Sequence, residues 1–291
     1  PVITVTTTAA NVIFYWYDDL RAIPSYPSRR TAVNAGGDSA PSNTATATTL
    51  PNPPAAPTLE PVTVVSQTQI NLTWTDNSTD ETGFRVERQL SAGGSWAPIA
   101  TPAADATSYN DEGVSAGTSY DYRVFAVNAG GDSDPSNTES GLTPPAAPGN
   151  VQTAAGATPQ TDIDLSWDAS TGATDYKVER CTGAGSGCTP TVQIGTSSGA
   201  LTYNDTGLTA GTEYCYEIIA TNASGDSPAS SPVACRTTAA PVTPPAAPTL
   251  QPVTVVSQTQ INLTWTDPGA DETSFRVERQ LSTGGSWGEI A

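Results

Sequence analysis

Apolar and polar residues alternate along most of this 291-residue chain. In the stretch INLTWT, single polar residues separate the apolar Ile70, Leu72 and Trp74, and SYDYRVFAVN continues the pattern from Tyr120 and Tyr122. A period of two is typical of a half-buried β-strand. Turn clusters such as DNSTDETG, SAGGS and NAGGDS lie between these stretches, and no stretch keeps the 3.6-residue period of a helix. The pattern therefore predicts an all-β chain of short strands.

The sequence also repeats itself. Residues 53–100 recur almost letter for letter as residues 244–291, and a more divergent copy with Trp167 in DIDLSWD and Arg180 in ATDYKVER lies between them. Trp167 follows Trp74 by 93 residues. A repeat of roughly 95 residues has the size of one β-sandwich domain.

The second half of the repeat recurs as well, from Gly117, from Gly211 and, in shorter form, from Thr31. We therefore divide the chain into a half unit I, two complete units II and III and a half unit IV, which are residues 1–52, 53–145, 146–243 and 244–291. The proline-rich connectors PNPPAAP and TPPAAP join them. Such connectors are extended and semi-rigid, so successive units should be held in line.

Each unit combines several features that together resemble the fibronectin type III module. These are a proline-rich start, one Trp on the second strand, a Y/F-x-V pair on the third, and an L-x-x-G-T-x-Y corner followed by x-V-x-A-V-N-x-x-G-x-S. The resemblance covers essentially the whole chain, and it implies that sheets of three and four strands pack face to face. It makes Tyr26, Tyr120 and Tyr214 the corner tyrosines. The predicted fold is a series of tandem immunoglobulin-like β-sandwiches, two complete and two half domains.

Unit I departs from this pattern between residues 13 and 30. Ser28 and Arg30 stand where unit II places an inward Tyr and an inward Val, and Ile23 replaces the corner glycine. An inward arginine without a partner costs on the order of several kcal/mol. Two explanations stay open: unit I is a divergent half domain, or residues 13–30 are incorrectly assigned.

All four cysteines, Cys181, Cys188, Cys215 and Cys235, lie in unit III. Cys181 ends the third strand of the unit and Cys188 follows the next loop, so that a bond between them would clamp a hairpin. Cys215 lies early on the sixth strand and Cys235 late on the seventh, and these strands run antiparallel side by side in the related fold. Because the chain has no His and no close CxxC, we predict the disulfides Cys181–Cys188 and Cys215–Cys235 rather than a redox or metal role. They indicate an oxidising compartment.

An acidic loop follows the Trp strand in units II and IV. Its members are Asp76, Asp80, Glu81, Asp267, Asp271 and Glu272. Crowded oxygen ligands near a domain junction would suit Ca²⁺. The spacing D-x-x-x-D-E lacks the ordered ligand series of a calcium loop, and a solvated polar loop is the simpler interpretation. We predict no metal and no cofactor, with these six residues as the only calcium candidates.

Charge and composition narrow the classes of function. The chain has 29 Asp and Glu against 11 Lys and Arg, a net charge of −18. Such a surface repels polyanions, which argues against nucleic acid and anionic membranes as partners. The absence of His argues against His-dependent triads and most zinc chemistry, and sandwich units with short loops offer little room for an active site. No apolar run reaches the roughly 20 residues that span a bilayer. We therefore predict that the chain is not an enzyme.

The favoured function is that of a structural repeat protein that forms an extracellular or cell-surface filament or rod. We expect residues 244–291 of one copy and 1–52 of the next to build one composite domain, repeated head to tail, with Ala291 close to Pro1 of the neighbour. The same features fit a mature or excised segment of a longer tandem array. The expected partners are other copies of the chain and, in addition, a cell surface or a polysaccharide.

The alternative function is that of spacer or carbohydrate-binding accessory modules in a secreted glycan-degrading enzyme or adhesin. Trp96 and Trp287 follow a Gly-Gly-Ser turn and could stack on sugars. Packing of these indoles over the sheet edge is the simpler expectation. A catalytic or lectin domain elsewhere in the same gene would favour this alternative.

Overall fold

The computed structural model describes residues 20–183 and 187–290. In these ranges the chain forms twenty-seven β-strands and no α-helix, and the strands pair antiparallel. This confirms the predicted all-β class. The expected approach of Ala291 to Pro1 falls outside the described residues.

Unit I, from residue 20 onward, consists of two strand pairs. Its strands are β1 (Ser25–Ser28), β2 (Val33–Asn34), β3 (Gly37–Asp38) and β4 (Ala45–Thr48). β1 pairs with β4, and β2 pairs with β3.

Unit II is a sandwich of two sheets. Its strands are β5 (Thr58–Leu59), β6 (Thr63–Ser66), β7 (Gln69–Thr75), β8 (Gly83–Leu90), β9 (Ala97–Ala100), β10 (Ser108–Asp111), β11 (Ser119–Asn128), β12 (Gly131–Asp132) and β13 (Glu139–Leu142). One sheet has the order β10-β7-β5, with β6 also on β7, and the other has the order β12-β11-β8-β9, with β13 also on β11. β5 and β6 both pair with β7, and β12 and β13 both pair with β11. Each of these two pairs of short strands therefore forms one interrupted edge strand of its sheet.

The alternating apolar residues of unit II meet between these sheets. Ile70, Leu72 and Trp74 from β7 are buried, and so is Phe84 from β8 in the opposite sheet. The rings of Trp74 and Phe84 lie 5.5 Å apart and tilted, a favourable arrangement for two aromatic side chains. The period-two pattern therefore predicted the core face of these strands correctly.

Unit III repeats this sandwich. Its strands are β14 (Gln152–Ala155), β15 (Ile163–Ser166), β16 (Asp175–Thr182), β17 (Val192–Thr196), β18 (Thr202–Asp205), β19 (Glu213–Asn222), β20 (Gly225–Asp226) and β21 (Ala234–Thr237). One sheet has the order β14-β15-β18, and the other has the order β17-β16-β19-β20, with β21 also on β19. Trp167 is buried against Tyr176 at 5.6 Å, as predicted.

The backbone of unit I copies part of unit II despite its divergent side chains. β1 and β4 pair in the register Ser25↔Thr48, and 94 residues later β11 and β13 pair in the register Ser119↔Leu142. Arg30 occupies the position of Val124, because the backbone N–H of each donates to a serine hydroxyl twelve residues further on. The sequence alignment of unit I is therefore correct in register.

The tyrosine corner is present in all three units that contain this part of the repeat. The hydroxyl oxygens of Tyr26, Tyr120 and Tyr214 each accept a hydrogen bond, 2.9–3.0 Å long, from the backbone N–H five residues earlier. Ile23 has a φ of +70°, close to the +61° of the corresponding Gly117. A β-branched residue is strained in this region, so the surrounding hydrogen bonds must hold it there.

Unit IV contains short strands that repeat the first half of unit II. They are β22 (Thr249–Leu250), β23 (Thr254–Ser257), β24 (Gln260–Asn262), β25 (Trp265–Thr266), β26 (Glu278–Arg279) and β27 (Gly288–Glu289). Trp265 contacts Phe275 at 5.4 Å, as in the complete units. The alternation of Ile261, Leu263 and Trp265 predicts that Trp265 lies buried between two sheets. It is 38% exposed, so this prediction is wrong for the described chain. Among the described residues, no strand corresponding to β10, β11 or β13 packs against Trp265.

Candidate functional sites

The four cysteines of unit III form two disulfide bonds, and three of them lie on neighbouring strands while Cys188 lies in the connection between β16 and β17. Cys181 on β16 is bonded to Cys188, and Cys215 on β19 is bonded to Cys235 on β21. In the strand register Cys215 lies opposite both Cys181 and Cys235. The two bonds therefore lie side by side in one sheet. One closes the loop that follows β16, and the other joins β19 to β21.

The acidic loop of unit II brings together a different set of carboxylates from the predicted one. Carboxylate oxygens of Asp76 and Glu81 lie within 4.8 Å of each other and of Asp105, while Asp80 accepts a hydrogen bond from Asn128 at 3.3 Å. Asp105 escaped the sequence analysis because it follows Glu81 by 24 residues and belongs to no acidic run. The preference for a solvated polar loop over a calcium site stays a prediction.

Hydrogen bonds inside this loop already use its carboxylates. The Ser78 hydroxyl donates to Glu81, and the Ser78 backbone N–H donates to Asp76 Oδ1 at 3.0 Å. Glu81 is nine-tenths buried, and the Ser78 hydroxyl is the main cause that lowers its pKa. The loop is thus a turn that is stabilised by hydrogen bonds between its own residues.

The matching loop of unit IV behaves differently because Gly269 replaces the serine. The Gly269 backbone N–H still donates to Asp267 Oδ1, at 3.1 Å. Glu272 corresponds to Glu81 but has no serine hydroxyl beside it. Its hydrogen bond is with Asp267 instead, and this bond raises the pKa of Glu272. Asp271 lies beside them, with its carboxylate close to Gly269. The glutamate pKa is therefore shifted in opposite directions in the two loops.

Each complete unit also contains a buried Arg–Asp–Tyr cluster that the sequence analysis missed. In unit II, Asp111 Oδ2 accepts hydrogen bonds from Arg88 at 2.7 Å and from the Tyr122 hydroxyl at 2.9 Å. In unit III, Asp205 accepts equivalent bonds from Arg180 and Tyr216. The sequence signal was the recurrence of V-E-R and Y-N-D in both units, with the tyrosine eleven residues after the aspartate in each.

Burial is the main cause that raises the pKa of Tyr122 and of Tyr216, and the neighbouring Asp carboxylates add to it. A phenol whose pKa is higher in the folded than in the unfolded chain contributes stability below the unfolded pKa of about 10, and this stability is lost as the pH rises above it. We expect the free energy of unfolding to fall steeply above pH about 10. The double variant Tyr122→Phe and Tyr216→Phe should show a shallower fall in urea titrations followed by circular dichroism. An unchanged slope would contradict this assignment.

Comparison with known proteins places this architecture in a family. The family model for the fibronectin type III domain matches residues 55–141 and 146–236. The chain belongs to the fibronectin type III family. Exoglucanase B of Cellulomonas fimi is 32% identical over 240 residues, which cover 74% of this chain and 20% of the relative. The chain thus spans about a fifth of the length of that curated relative.

Solved fibronectin type III structures are also similar to the chain. A two-domain segment of chicken tenascin is 22% identical, covering 62% of this chain and 99% of its own, with a TM-score of 0.41. The FN1–FN3 domains of chicken CNTN1 are 20% identical, covering 76% of this chain and 78% of their own, with a TM-score of 0.34.

In the described residues, no helix has the length and apolar character needed to cross a membrane.

The junction between the two complete fibronectin type III domains is closely packed. A Cβ atom on Gly117 would lie 1.9 Å from the carbonyl oxygen of Thr171, and one on Gly172 would lie 2.2 Å from the carbonyl oxygen of Gly117. The Asn222 side chain donates to the carbonyl oxygens of Thr143, at 3.0 Å, and Gly172, at 3.2 Å. The linker is therefore bonded to the domain that follows it.

The preceding junction repeats this arrangement. Asn128 corresponds to Asn222, and its side chain donates to the carbonyl oxygen of Asn52 at 2.9 Å. A Cβ atom on Gly130 would lie 2.0 Å from the carbonyl oxygen of Pro51. Both asparagines open the turn motif that the sequence analysis interpreted only as a hairpin, so sequence reasoning missed their contact with the linkers.

The outer face of the β8–β11 sheet carries an arginine–aromatic cluster. Arg123 stacks over the ring of Trp96 at 4.3 Å, and Arg85 stacks over Phe125 at the same distance. Phe125 is buried beneath these guanidinium groups, although its position in the strand predicted exposure. The corresponding Trp287 of unit IV is 63% exposed. One tryptophan is thus partly covered and the other is open to solvent.

Proposed function

We propose that this chain is a non-catalytic structural section of an extracellular or cell-surface protein, in which fibronectin type III domains form a semi-rigid rod. The observation that carries this proposal is the packing at two junctions, where the side-chain amides of Asn128 and Asn222 bond the linkers that precede units II and III. Two disulfides fit an oxidising compartment. Fibronectin type III domains are typically non-catalytic modules, which agrees with a structural role.

Two contacts of different kinds stiffen the junction between units II and III. The backbones of Gly117 and Gly172 approach so closely that neither position has room for a side chain, which restricts rotation between the domains. The Asn222 amide and the proline-rich linker restrict bending at the same place. Inter-domain motion is the default for domains joined by a short linker unless such contacts oppose it.

Residual dipolar couplings of the full chain test this rigidity. We expect the amides of residues 53–145 and 146–240 to fit one common alignment tensor. The variant Asn222→Ala should give each domain its own tensor, because it removes the bonds to Thr143 and Gly172. Asn204→Ala, which removes an exposed amide far from the junction, is the matched control and should keep one tensor. Two independent tensors in the unaltered chain would contradict the rod.

The second candidate function is an accessory module of a glycan-degrading enzyme or adhesin. The similarity to Exoglucanase B favours it, together with the exposed ring of Trp287. Polysaccharides are bound through aromatic rings that offer a free face, and Trp287 offers one. Co-sedimentation of the full chain with insoluble cellulose, with Trp287→Ala as the comparison, tests this candidate. Sedimentation that Trp287→Ala abolishes would support it, and no sedimentation would leave the rod as the better account.

A further inference from the structure

Three of the four cysteines of unit III lie side by side on neighbouring strands, and we name Cys181, Cys215 and Cys235 the cysteine row. Cys181 on β16 lies directly opposite Cys215 on β19, and Cys215 lies opposite Cys235 on β21. Cys188 reaches the row through its bond with Cys181. The sulfur atoms of Cys181, Cys188 and Cys215 lie within 4.8 Å of one another, although Cys215 is bonded to Cys235. A disulfide bond is about 2.05 Å long, so a small movement would bring a sulfur of one bond onto the other bond.

The matching row of unit II shows that the middle position can bond to either side. Gln89, Asp121 and Ser140 stand in the same register as the three cysteines. The Asp121 carboxylate accepts a hydrogen bond from the Gln89 amide at 3.1 Å and another from the Ser140 hydroxyl at 2.7 Å. A carboxylate accepts both bonds at once, whereas a sulfur atom forms only one disulfide bond. In unit III the middle residue is Cys215, which lies between two cysteines but can bond to only one of them.

The cysteine row lies on the outer face of its sheet. Tyr216 and Arg180 point into the domain, where both bond to Asp205. Because successive side chains of a strand alternate between its two faces, the neighbouring Cys215 and Cys181 point away from the core. A change of disulfide partner on this face leaves the core intact, and the three strands remain paired by their backbone hydrogen bonds.

The two disulfide bonds differ in their access to solvent. Cys181 and Cys188 are each half-buried, whereas Cys215 has no exposed surface. A small dissolved thiol can therefore reach the first bond, where a folded protein would find less room. The Cys215 sulfur is closed to a dissolved thiol but lies beside the Cys181 sulfur. A thiolate released at Cys181 is therefore in place to attack it.

We propose that unit III captures a small thiol on Cys188 and, by exchange within the cysteine row, frees the thiol of Cys235. The incoming thiolate attacks the Cys188 sulfur, forms a mixed disulfide there and releases Cys181 as a thiolate. The Cys181 thiolate attacks the Cys215 sulfur, forms a Cys181–Cys215 bond and releases Cys235, which takes up the proton that the incoming thiol lost. Two disulfide bonds are present before and after the exchange, so it needs no oxidant and no reductant.

The exchange moves the reactive thiol from one side of the sheet to the other. Cys188 precedes β17, which pairs with β16 at one edge, and Cys235 lies on β21, which pairs with β19 on the far side. Capture of a thiol near one edge therefore produces a free thiol near the other, where Cys235 is half-buried. The rod proposed above does not require this exchange, so failure of either one leaves the other standing.

Disulfide mapping of the full chain after limited treatment with glutathione tests the exchange. The treatment is made at pH about 8.5, where about half of an ordinary cysteine thiol is ionised. Acid then stops the exchange, free thiols are alkylated, and the peptides are identified by mass spectrometry. We expect one glutathione on Cys188, a cross-linked Cys181–Cys215 peptide, alkylation at Cys235 and a matching loss of the Cys215–Cys235 peptide.

Two single variants isolate the second step without glutathione. Cys188→Ser leaves Cys181 without its partner, and we expect Cys181 to bond to Cys215 and the alkylated thiol to be Cys235. Cys181→Ser is the matched control, because it leaves the same number of cysteines but none on β16. In this control the Cys215–Cys235 bond should remain and Cys188 should be alkylated. Unchanged circular dichroism would show that both variants keep their fold.

Four results would overturn the proposal. Two of them concern the unaltered chain: glutathione on Cys188 with the Cys215–Cys235 peptide undiminished, and glutathione on Cys235 instead. The third is the absence of any glutathione adduct. The fourth is Cys188→Ser with its free thiol still at Cys181, which would show that proximity of the sulfurs does not lead to exchange.

Discussion

Truncation of Trp167 to Ala should lower the free energy of unfolding of its domain by about 3 to 5 kcal/mol. The indole is 5% exposed and packs on Tyr176, so its removal leaves a cavity between two sheets. The same truncation at Trp265 should cost less than about 1 kcal/mol in dilute solution. Trp265 has the same aromatic partner geometry but is 38% exposed.

Amide hydrogen exchange resolved by residue measures the two effects separately, because each domain reports its own opening. Trp287→Ala serves as the control for loss of an exposed indole, and it should leave protection in unit III unchanged. Equal losses at Trp167 and Trp265 would mean that Trp265 is packed as fully as Trp167, in contradiction to its exposure.

Strand alternation and internal repetition predicted most of the fold. Ile70, Leu72 and Trp74 alternate with polar residues, and each of them is buried, because a strand in a sandwich has one face toward the core. The same rule predicted that Trp265 is buried, and this prediction was wrong. Alternation identifies the face of a strand, whereas burial also requires a second sheet opposite it.

The contacts at the domain junctions could not be predicted in the same way. Asn128 and Asn222 stand in a turn motif whose residues also suit an ordinary hairpin. Only the path of the preceding linker brings a carbonyl oxygen within reach of each amide. Long-range hydrogen bonds of this kind have no periodic signal in the sequence.

Unit I shows that backbone hydrogen bonds can preserve a corner whose side chains have changed. Ile23 keeps the positive φ of Gly117, and the Tyr26 hydroxyl still accepts its bond from the Arg21 backbone N–H. The sequence pattern marks Ser28 and Arg30 as incompatible with a closed core, and this stays a prediction. In the described chain Arg30 is exposed, so no guanidinium has to be buried there.

The buried Arg–Asp–Tyr clusters give the complete domains a polar contact inside an apolar core. Asp205 is 6% exposed, and its two oxygens accept bonds from Arg180 and Tyr216. A buried ion pair adds little net stability compared with apolar residues of the same volume. Loss of one partner is costly, however, because the other charge is left without compensation.

Asp205→Asn should therefore lower the free energy of unfolding of unit III by about 2 to 4 kcal/mol. This loss is smaller than for a fully buried ion pair because Arg180 is partly exposed. Asp226→Asn is the matched control, since it removes a carboxylate from the exposed pair with Lys177 and should change stability by at most about 0.5 kcal/mol. Urea unfolding of the full chain, with hydrogen exchange to assign the affected domain, measures both. A similar small loss for both variants would mean that Arg180 finds water or another acceptor when Asp205 loses its charge, and that the cluster does not stabilise the core.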